Sequence, residues 1–164
     1  MDVRITDNGD LRRLSKALRQ YGDGKRLRSR SVKAIRAEVT PIAREVRAAY
    51  RAGPSKGGPK TPGRAQYGSL RNLLAKAVRV EVRLSGRQAG VRIRVDGRKM
   101  PPGMGSLPAA YEGSERWVHP AWGGQRVVQA PHPTFYRVVR RHSPDVRRRI
   151  DQVAGDVARE ITKG

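Results

Sequence analysis

The sequence has no cysteine, and among its 164 residues there are only one phenylalanine and two tryptophans. Without thiols, a disulfide framework, thiol catalysis and cysteine-ligated zinc or iron–sulfur sites are excluded. No stretch approaches the roughly 20 apolar residues that a membrane-spanning helix needs. Residues 1–10 carry three aspartates where a secretory signal would be hydrophobic. We therefore expect a protein that is neither exported nor inserted into a membrane.

Acidic residues are also scarce. There are 14 Asp and Glu against 36 Lys and Arg, which gives a formal charge of +22. A field this positive attracts polyanions without specificity. However, 28 of the basic residues are arginine, beside many alanines, glycines and valines, a composition that a GC-rich genome also produces. The charge alone therefore defines no nucleic-acid site.

Large apolar side chains are few. Leu, Ile, Val and Phe together number 33, near the level of about 20% below which highly charged chains tend toward disorder. The length suits one domain. We expect a single domain over residues 1–164 with a thin core, part of whose apolar surface is buried against other subunits.

Helical periodicity marks the N-terminal third. A short strand is predicted at residues 3–5, followed by a helix around residues 11–21 and a longer helix from about residue 25 to residue 50. Pro41 must kink this long helix or divide it in two. Its apolar positions form a narrow seam: Val32, Ile35, Val39, Ile42, Val46 and Ala49.

The middle of the chain alternates loops with a hairpin. Residues 53–68, rich in glycine and proline, predict a flexible loop, after which Ser69 caps a short helix over 69–74. Strict alternation then predicts two antiparallel strands around residues 78–84 and 91–95, with one apolar and one charged face. A second flexible loop is expected at 97–108.

The C-terminal third is predicted to contain two short strands, at 116–119 and 126–130, and a terminal helix. Ser143-Pro144 is interpreted as the start of this helix, with Ser143 as its cap. Its apolar face is Val146, Ile150, Val153, Val157 and Ile161. The sketch is of an α+β fold: N-terminal helices, an antiparallel hairpin with short strands, and a C-terminal helix.

No pattern indicates an enzyme or a cofactor. The segment Gly53 to Thr61 approximates a Walker loop, but Pro59 shifts the lysine out of register and removes a backbone donor. The three histidines lack metal-ligand spacing. Glu112 and Glu115 have the spacing of a carboxylate pair, but their ordinary interpretation is as exposed loop acids. We therefore predict no catalytic, cofactor or metal site.

The basic excess is spread along the chain, but two groups of basic side chains are candidates for contact with a partner. The arginine-lined face of the hairpin would be destabilised by like charges unless Glu81 and Asp96 offset them in a solvated face, or an acidic partner or nucleic acid neutralises them. The 53–68 loop adds three further cations. The candidates for contact with a partner or DNA are Lys56, Lys60, Arg64, Arg79, Arg83, Arg92 and Arg94.

Residues 107–135 contain a pattern of short motifs. They are Glu112-Gly113-Ser114, then Trp117-Val118-His119-Pro120, then His132-Pro133-Thr134-Phe135. Together with Gly68-Ser69-Leu70-Arg71 and the order of helix, loop, hairpin and helix, this pattern resembles the neck and tail-completion (head–tail connector) proteins of long-tailed double-stranded DNA phages. The chain departs from that family at Lys60-Thr61-Pro62-Gly63, where the usual Pro-x-x-Thr-Gly is scrambled, and in a longer segment at 97–106.

The resemblance implies a structural virion protein at the head–tail junction, made in the host cytoplasm and repeated in a ring, six copies by family analogy. Its partners would be copies of itself, neighbouring neck, stopper or tail-terminator proteins and, without specificity, packaged DNA. Trp117, Trp122 and Phe135 are expected to pack against the apolar face of the hairpin. The assembly and packing candidates are Glu112, Gly113, Ser114, Trp117, His119, Pro120, Trp122, His132, Pro133 and Phe135.

The competing interpretation is a basic nucleic-acid-binding module without enzymatic activity. Such a module would interleave aromatic side chains with its basic residues so that bases can stack on them. Here the aromatic residues lie mostly outside the arginine-rich hairpin. We therefore favour the phage structural role.

Overall fold

The computed structural model describes residues 2–5, 15–16, 18–19, 24–53, 69–85, 89–120 and 126–163. The helices are α1 (Gly24–Ala52), α2 (Leu70–Ala77), α3 (Leu107–Glu112) and α4 (Phe135–Lys163). The strands are β1 (Asp2–Ile5), β2 (Val78–Arg83), β3 (Gly90–Val95), β4 (Trp117–Pro120) and β5 (Arg126–Gln129). This mixture of helices and strands, with an antiparallel hairpin between two long helices, is the predicted α+β fold.

The strands form two sheets. The hairpin strands β2 and β3 carry β1 on the outer side of β3, so that the order is β1-β3-β2. The apolar positions of β3, Val91, Ile93 and Val95, are all buried, as the alternation predicts. Strands β4 and β5 form a separate antiparallel pair, which we call the ribbon.

Helix α1 is one continuous helix. Pro41 lies inside it, so the alternative in which Pro41 divides it is wrong. Ile35, Val39, Ile42 and Val46 are buried as predicted. Val32 and Ala49 are only half-buried, and the buried stripe is instead widened by Leu27, Ser31, Ala43 and Tyr50.

Helix α4 begins nine residues earlier than predicted. It starts at Phe135 and passes through Pro144, so the interpretation of Ser143-Pro144 as its start is wrong. Ser143 is an interior residue whose hydroxyl donates to the carbonyl of Val139 (2.9 Å). The burial of Phe135, Val138 and Val139 before the proline stabilises a helix that lacks one ladder hydrogen bond.

The short elements follow local capping rules. Ser69 caps α2, as predicted, by accepting from the N–H of Asn72, although the helix runs on to Ala77. The predicted loop at 97–108 contains a 3₁₀ turn (Gly97–Lys99) capped by Asp96, and it ends in the first turn of α3. Gly103 has φ of +77°, a conformation that favours glycine.

The described chain divides into two compact units. Unit 1 comprises Arg44–Arg79 and Arg94–Val138, and unit 2 comprises Asp2–Ala43, Val80–Ile93 and Val139–Gly164. The core of unit 1 includes Val46, Tyr50, Leu74, Tyr111, Phe135 and Val138. The core of unit 2 includes Ile35, Val39, Leu84, Ile93, Val146 and Ile150.

Candidate functional site

Glu112, the acidic residue of the Glu-Gly-Ser motif, caps the N-terminus of helix α4. It is the last residue of α3, and only 6% of its surface is exposed. Its carboxylate accepts hydrogen bonds from the backbone N–H groups of Thr134 (3.0 Å) and Phe135 (2.9 Å). These donors lie at the N-terminus of α4, where N–H groups lack helical partners and a negative charge is favourable. The expectation of an exposed loop acid is therefore wrong for Glu112, whereas Glu115 is exposed.

A second contact joins the same two segments. The N–H of His132 donates to the carbonyl of Tyr111 at 2.7 Å. The Tyr111 ring meets the His132 ring edge-on at 6.0 Å between centroids, and it meets the Tyr50 ring at 5.8 Å. Edge-to-face pairs in this range are favourable. The Glu-Gly-Ser and His-Pro-Thr-Phe motifs thus contact each other and the end of α1.

Arg71, the last residue of the Gly-Ser-Leu-Arg motif, closes the C-terminus of α1. Its guanidinium donates to the carbonyls of Arg51 (3.0 Å) and Gly53 (2.9 Å). Carbonyls at a helix C-terminus lack helical donors, and a cation there is stabilising. Gly53 also permits a close approach, because a Cβ at this position would lie 2.5 Å from the hydroxyl of Tyr111. The guanidinium of Arg71 thus links α2 to the end of α1 within unit 1.

The tyrosines beside Glu112 are neutral at physiological pH. Burial raises the pKa of Tyr50, and the negative charge of Glu112 raises it further, without a hydrogen bond of normal geometry between the two groups. Burial and Glu112 likewise raise the pKa of Tyr111, while Arg71 partly opposes them. This group of two tyrosines and Glu112 thus contains one buried carboxylate, which accepts hydrogen bonds from two backbone N–H groups. This arrangement holds segments together, and we assign it no chemical step.

The ribbon places two valines side by side on an open face. Val118 pairs with Val128 across the strands, and their side chains are 54% and 59% exposed. On the opposite face Trp117, paired with Gln129, is half-buried. His119 and Pro120 belong to β4, but their side chains lie outside the described part, as does the whole of Trp122. We call Val118 and Val128 the valine face.

The hairpin arginines have carboxylate partners. Arg83 pairs with Glu81, Arg94 with Asp96, and Arg92 with Asp2 of the neighbouring strand. These ion pairs favour the solvated-face alternative, with Asp2 as an additional partner. Asp96 is buried, and the hydrogen bond from Arg98 lowers the pKa of its carboxyl. The loop candidates Lys56, Lys60 and Arg64 lie outside the described residues.

Arg79 differs from the other hairpin arginines. Its guanidinium donates to the carbonyls of Lys76 (2.7 Å) and Val78 (3.1 Å). Arg47 of α1 donates to the same Val78 carbonyl (3.0 Å). Arg44 and Arg51 lie three and four residues to either side of Arg47 and are exposed. No sequence pattern indicates this group, because its members come from a helix and a strand that lie far apart in the chain.

Unit 2 contains a cavity of about 420 Å³ with a basic wall. Arg19, Lys25 and Arg28 line it, with Leu18 and Leu84 on its apolar side. Arg28 is fixed by a hydrogen bond to the hydroxyl of Ser85 (2.8 Å). The cavity adds to the general attraction of this protein for anions.

No protein-family model matches the chain, and no curated protein or solved structure matches it significantly. Among the described helices, none is long and apolar enough to cross a membrane. Within the described ranges, no three His, Asp or Glu side chains come together as a metal site. The role of each candidate residue therefore has to be argued from its contacts.

Proposed function

We propose that this chain is a structural subunit of the head–tail junction of a long-tailed phage, where copies of it assemble into a ring. The observation that carries the proposal is the convergence of the motif segments. Arg71 holds the C-terminus of α1, and Glu112 together with the Tyr111 carbonyl holds the His132–Phe135 segment. The residues on which the resemblance rests therefore have architectural roles, as expected of residues that characterise a structural protein.

The charge distribution supports self-assembly. Residues 100–136 contain two acidic and two basic residues, so the whole net charge of +22 lies in the rest of the chain. Copies of a strongly cationic chain repel one another least where they carry no net charge. The ribbon lies within this neutral stretch.

The ribbon also has the surface that an interface requires. A two-stranded sheet is only marginally stable in water without further packing. Val118 and Val128 are the only exposed large apolar side chains among the described residues. A neighbouring copy that covers this face would remove apolar surface from water and complete the packing of the ribbon. In a ring each copy presents the valine face to a different surface of the next copy.

The test is genetic and structural, in the phage that encodes the chain. Deletion of the gene should give DNA-filled heads and free tails that fail to join, and the intact gene supplied in trans should restore joining. Mass spectrometry of purified virions should find a few copies of the chain per particle. Joined particles without the chain, or its absence from virions despite abundance in infected cells, would refute the proposal.

A further inference from the structure

Four arginines of unit 1 form a cationic surface that the proposed ring function does not explain. Arg44, Arg47 and Arg51 follow one another at intervals of three and four residues, which places them on one side of α1. Arg79 in β2 joins them through the carbonyl of Val78, which accepts from both Arg47 and Arg79. We call these four residues the arginine cluster.

The cluster concentrates positive charge on a small surface. The nitrogens of Arg47 and Arg79 that share the Val78 oxygen lie within about 6 Å of each other, a distance at which like charges repel. Burial lowers the pKa of Arg47, and the positive charges of Arg79, Arg51 and Arg44 lower it further. The repulsion among these positive charges is therefore unfavourable. The attraction of a bound anion to all four arginines would offset it.

Two carboxylates of unit 1 are committed elsewhere. Asp96 accepts from Arg98 and pairs with Arg94. Glu112 accepts from the N-terminus of α4. These two carboxylates therefore do not neutralise the arginine cluster. Between Arg44 and Arg51, α1 carries one acid, the half-buried Glu45, against three arginines.

The geometry points to the phosphate backbone of a nucleic-acid duplex as the ligand. We propose that the arginine cluster binds consecutive phosphates of double-stranded DNA, without sequence preference. The guanidinium group is a planar fork that matches phosphate oxygens in pairs. Arg44 and Arg51 are seven residues apart, or about 10 Å along the helix. One DNA strand advances about 3.4 Å of axis per phosphate, so α1 lying along the duplex axis would span about three phosphates.

The surroundings of the cluster favour DNA over an acidic protein. Protein interfaces are organised around apolar and aromatic anchors. Within the described residues, the only exposed large apolar side chains are those of the valine face. The exposed neighbours of the cluster on α1 include Ala48 and Ala52, which are small. A charged surface with no such anchor suits an extended backbone of phosphates.

The decisive measurement is the salt dependence of binding to a labelled random-sequence duplex about two turns long, followed by fluorescence anisotropy. The test variant is Arg44→Gln with Arg51→Gln, which changes two exposed side chains. The control is Arg148→Gln with Arg159→Gln, which removes the same charge from two exposed arginines of α4. Each control arginine already has a carboxylate partner one turn away, Asp145 or Asp156.

We expect the test variant to bind at least about tenfold more weakly than the wild type at about 0.1 M salt. The slope of log K against log salt should become shallower by about 2, one for each phosphate that the variant no longer neutralises. The control should change the slope by less than half of that. Circular dichroism should show that both variants are folded.

Three results would overturn the inference. Equal decreases in affinity in the test and control variants would mean that net charge alone drives binding. An unchanged slope in the test variant would place the DNA on another surface. If poly-glutamate of matched charge binds as tightly as DNA and binds more weakly to the test variant alone, the cluster recognises an acidic protein. The measurement uses the isolated chain, so it succeeds or fails separately from the ring proposal.

Discussion

At the scale of single residues, one carboxylate performs a task that is usually local. Helices are most often capped by Ser, Thr, Asp or Asn immediately before the first turn. In α4 the cap is Glu112, which reaches the helix from 22 residues earlier in the chain and is buried there. Thr134, a residue type that often caps helices, stands directly before α4, but its hydroxyl donates to the carbonyl of His132. The side chain that does accept from the helix becomes its neighbour only after folding.

Replacement of Glu112 by alanine should strongly destabilise the protein. It leaves the N–H groups of Thr134 and Phe135 buried without their acceptor, at a cost of about 1–3 kcal/mol. Urea unfolding should show this destabilisation as a lower midpoint with little change in slope. Glu112→Gln keeps an acceptor oxygen and should be destabilised less.

Glu115 provides the matched control, since it is an exposed acid three residues further on. Glu115→Ala should leave the midpoint nearly unchanged. If Glu112→Ala proves as stable as Glu115→Ala, Glu112 does not cap α4.

Asp96 should make stability depend on acid pH. The hydrogen bond from Arg98 lowers the pKa of its carboxyl from 3.8, with further help from the charge of Arg94. A carboxyl whose pKa is lower in the folded state stabilises the fold above its unfolded value and loses that contribution as the pH falls through the folded value. Wild type should therefore be more stable than Asp96→Asn at pH 7, and the difference should shrink below pH 3.8.

Denaturant unfolding at several pH values measures that difference. Asp156→Asn, which removes an exposed carboxylate paired with Arg159 on α4, should give only a small difference at neutral pH. If the stability difference between wild type and Asp96→Asn does not shrink as the pH falls below 3.8, the destabilisation comes from packing rather than from charge.

At the scale of elements, the sequence predicts the strands and helices whose apolar residues recur periodically. It misses features that depend on contacts between distant segments of the chain. Alternation in residues 78–95 correctly predicts β2 and β3, and in β3 the apolar positions are the buried ones, whereas Val80 and Val82 of β2 are only half-buried. The seam of α1 is predicted for the same reason. The start of α4 is missed because Pro144 is a stronger local signal than Phe135, whose burial depends on residues distant in the sequence.

The candidate site is likewise only partly predictable from the sequence. The motif residues are readable as a pattern, but their contacts join segments that are far apart in the chain, such as Arg71 with Gly53. The arginine cluster has no motif at all. Arg79 belongs to the alternating pattern of the hairpin, and nothing in that pattern indicates that it shares an acceptor with Arg47.

Removal of the interior proline of α4 should stabilise the protein. Pro144 has no N–H for the helical ladder, and its ring opposes the preceding turn, which together cost a helix up to about 3 kcal/mol. Pro144→Ala should therefore raise the melting temperature in a thermal scan, and Pro41→Ala should do the same through α1. A lower melting temperature for either variant would mean that the proline ring contributes to packing by more than it costs the helix.

At the scale of the whole molecule, charge is distributed unevenly along the chain. The segment 100–136 carries no net charge and contains the valine face, whereas the arginine cluster lies outside it. In the proposed ring, self-association through a neutral apolar face would leave the cationic surfaces available to phosphates. In a closed ring every copy would repeat this division, so the positive charge would be multiplied by the number of subunits.

The valine face should be necessary for self-association and dispensable for folding. Threonine has the shape and strand preference of valine but carries a hydroxyl. Val118→Thr with Val128→Thr should therefore leave the melting temperature of the single subunit nearly unchanged, since both side chains are more than half exposed. Light scattering should show a shift from oligomer to monomer at concentrations where the wild type assembles.

The absence of cysteine allows the geometry of this contact to be tested directly. A photoreactive maleimide attached to the thiol of the Val118→Cys variant labels whatever surface covers position 118. A ring with head-to-tail contacts should give a ladder of linked species up to the full ring, because each copy reaches a different surface of the next. A product that stops at the dimer would indicate that two valine faces meet each other, and a closed ring through this face would then be excluded. Absence of any linked product in an assembled sample would place the subunit contact on another surface.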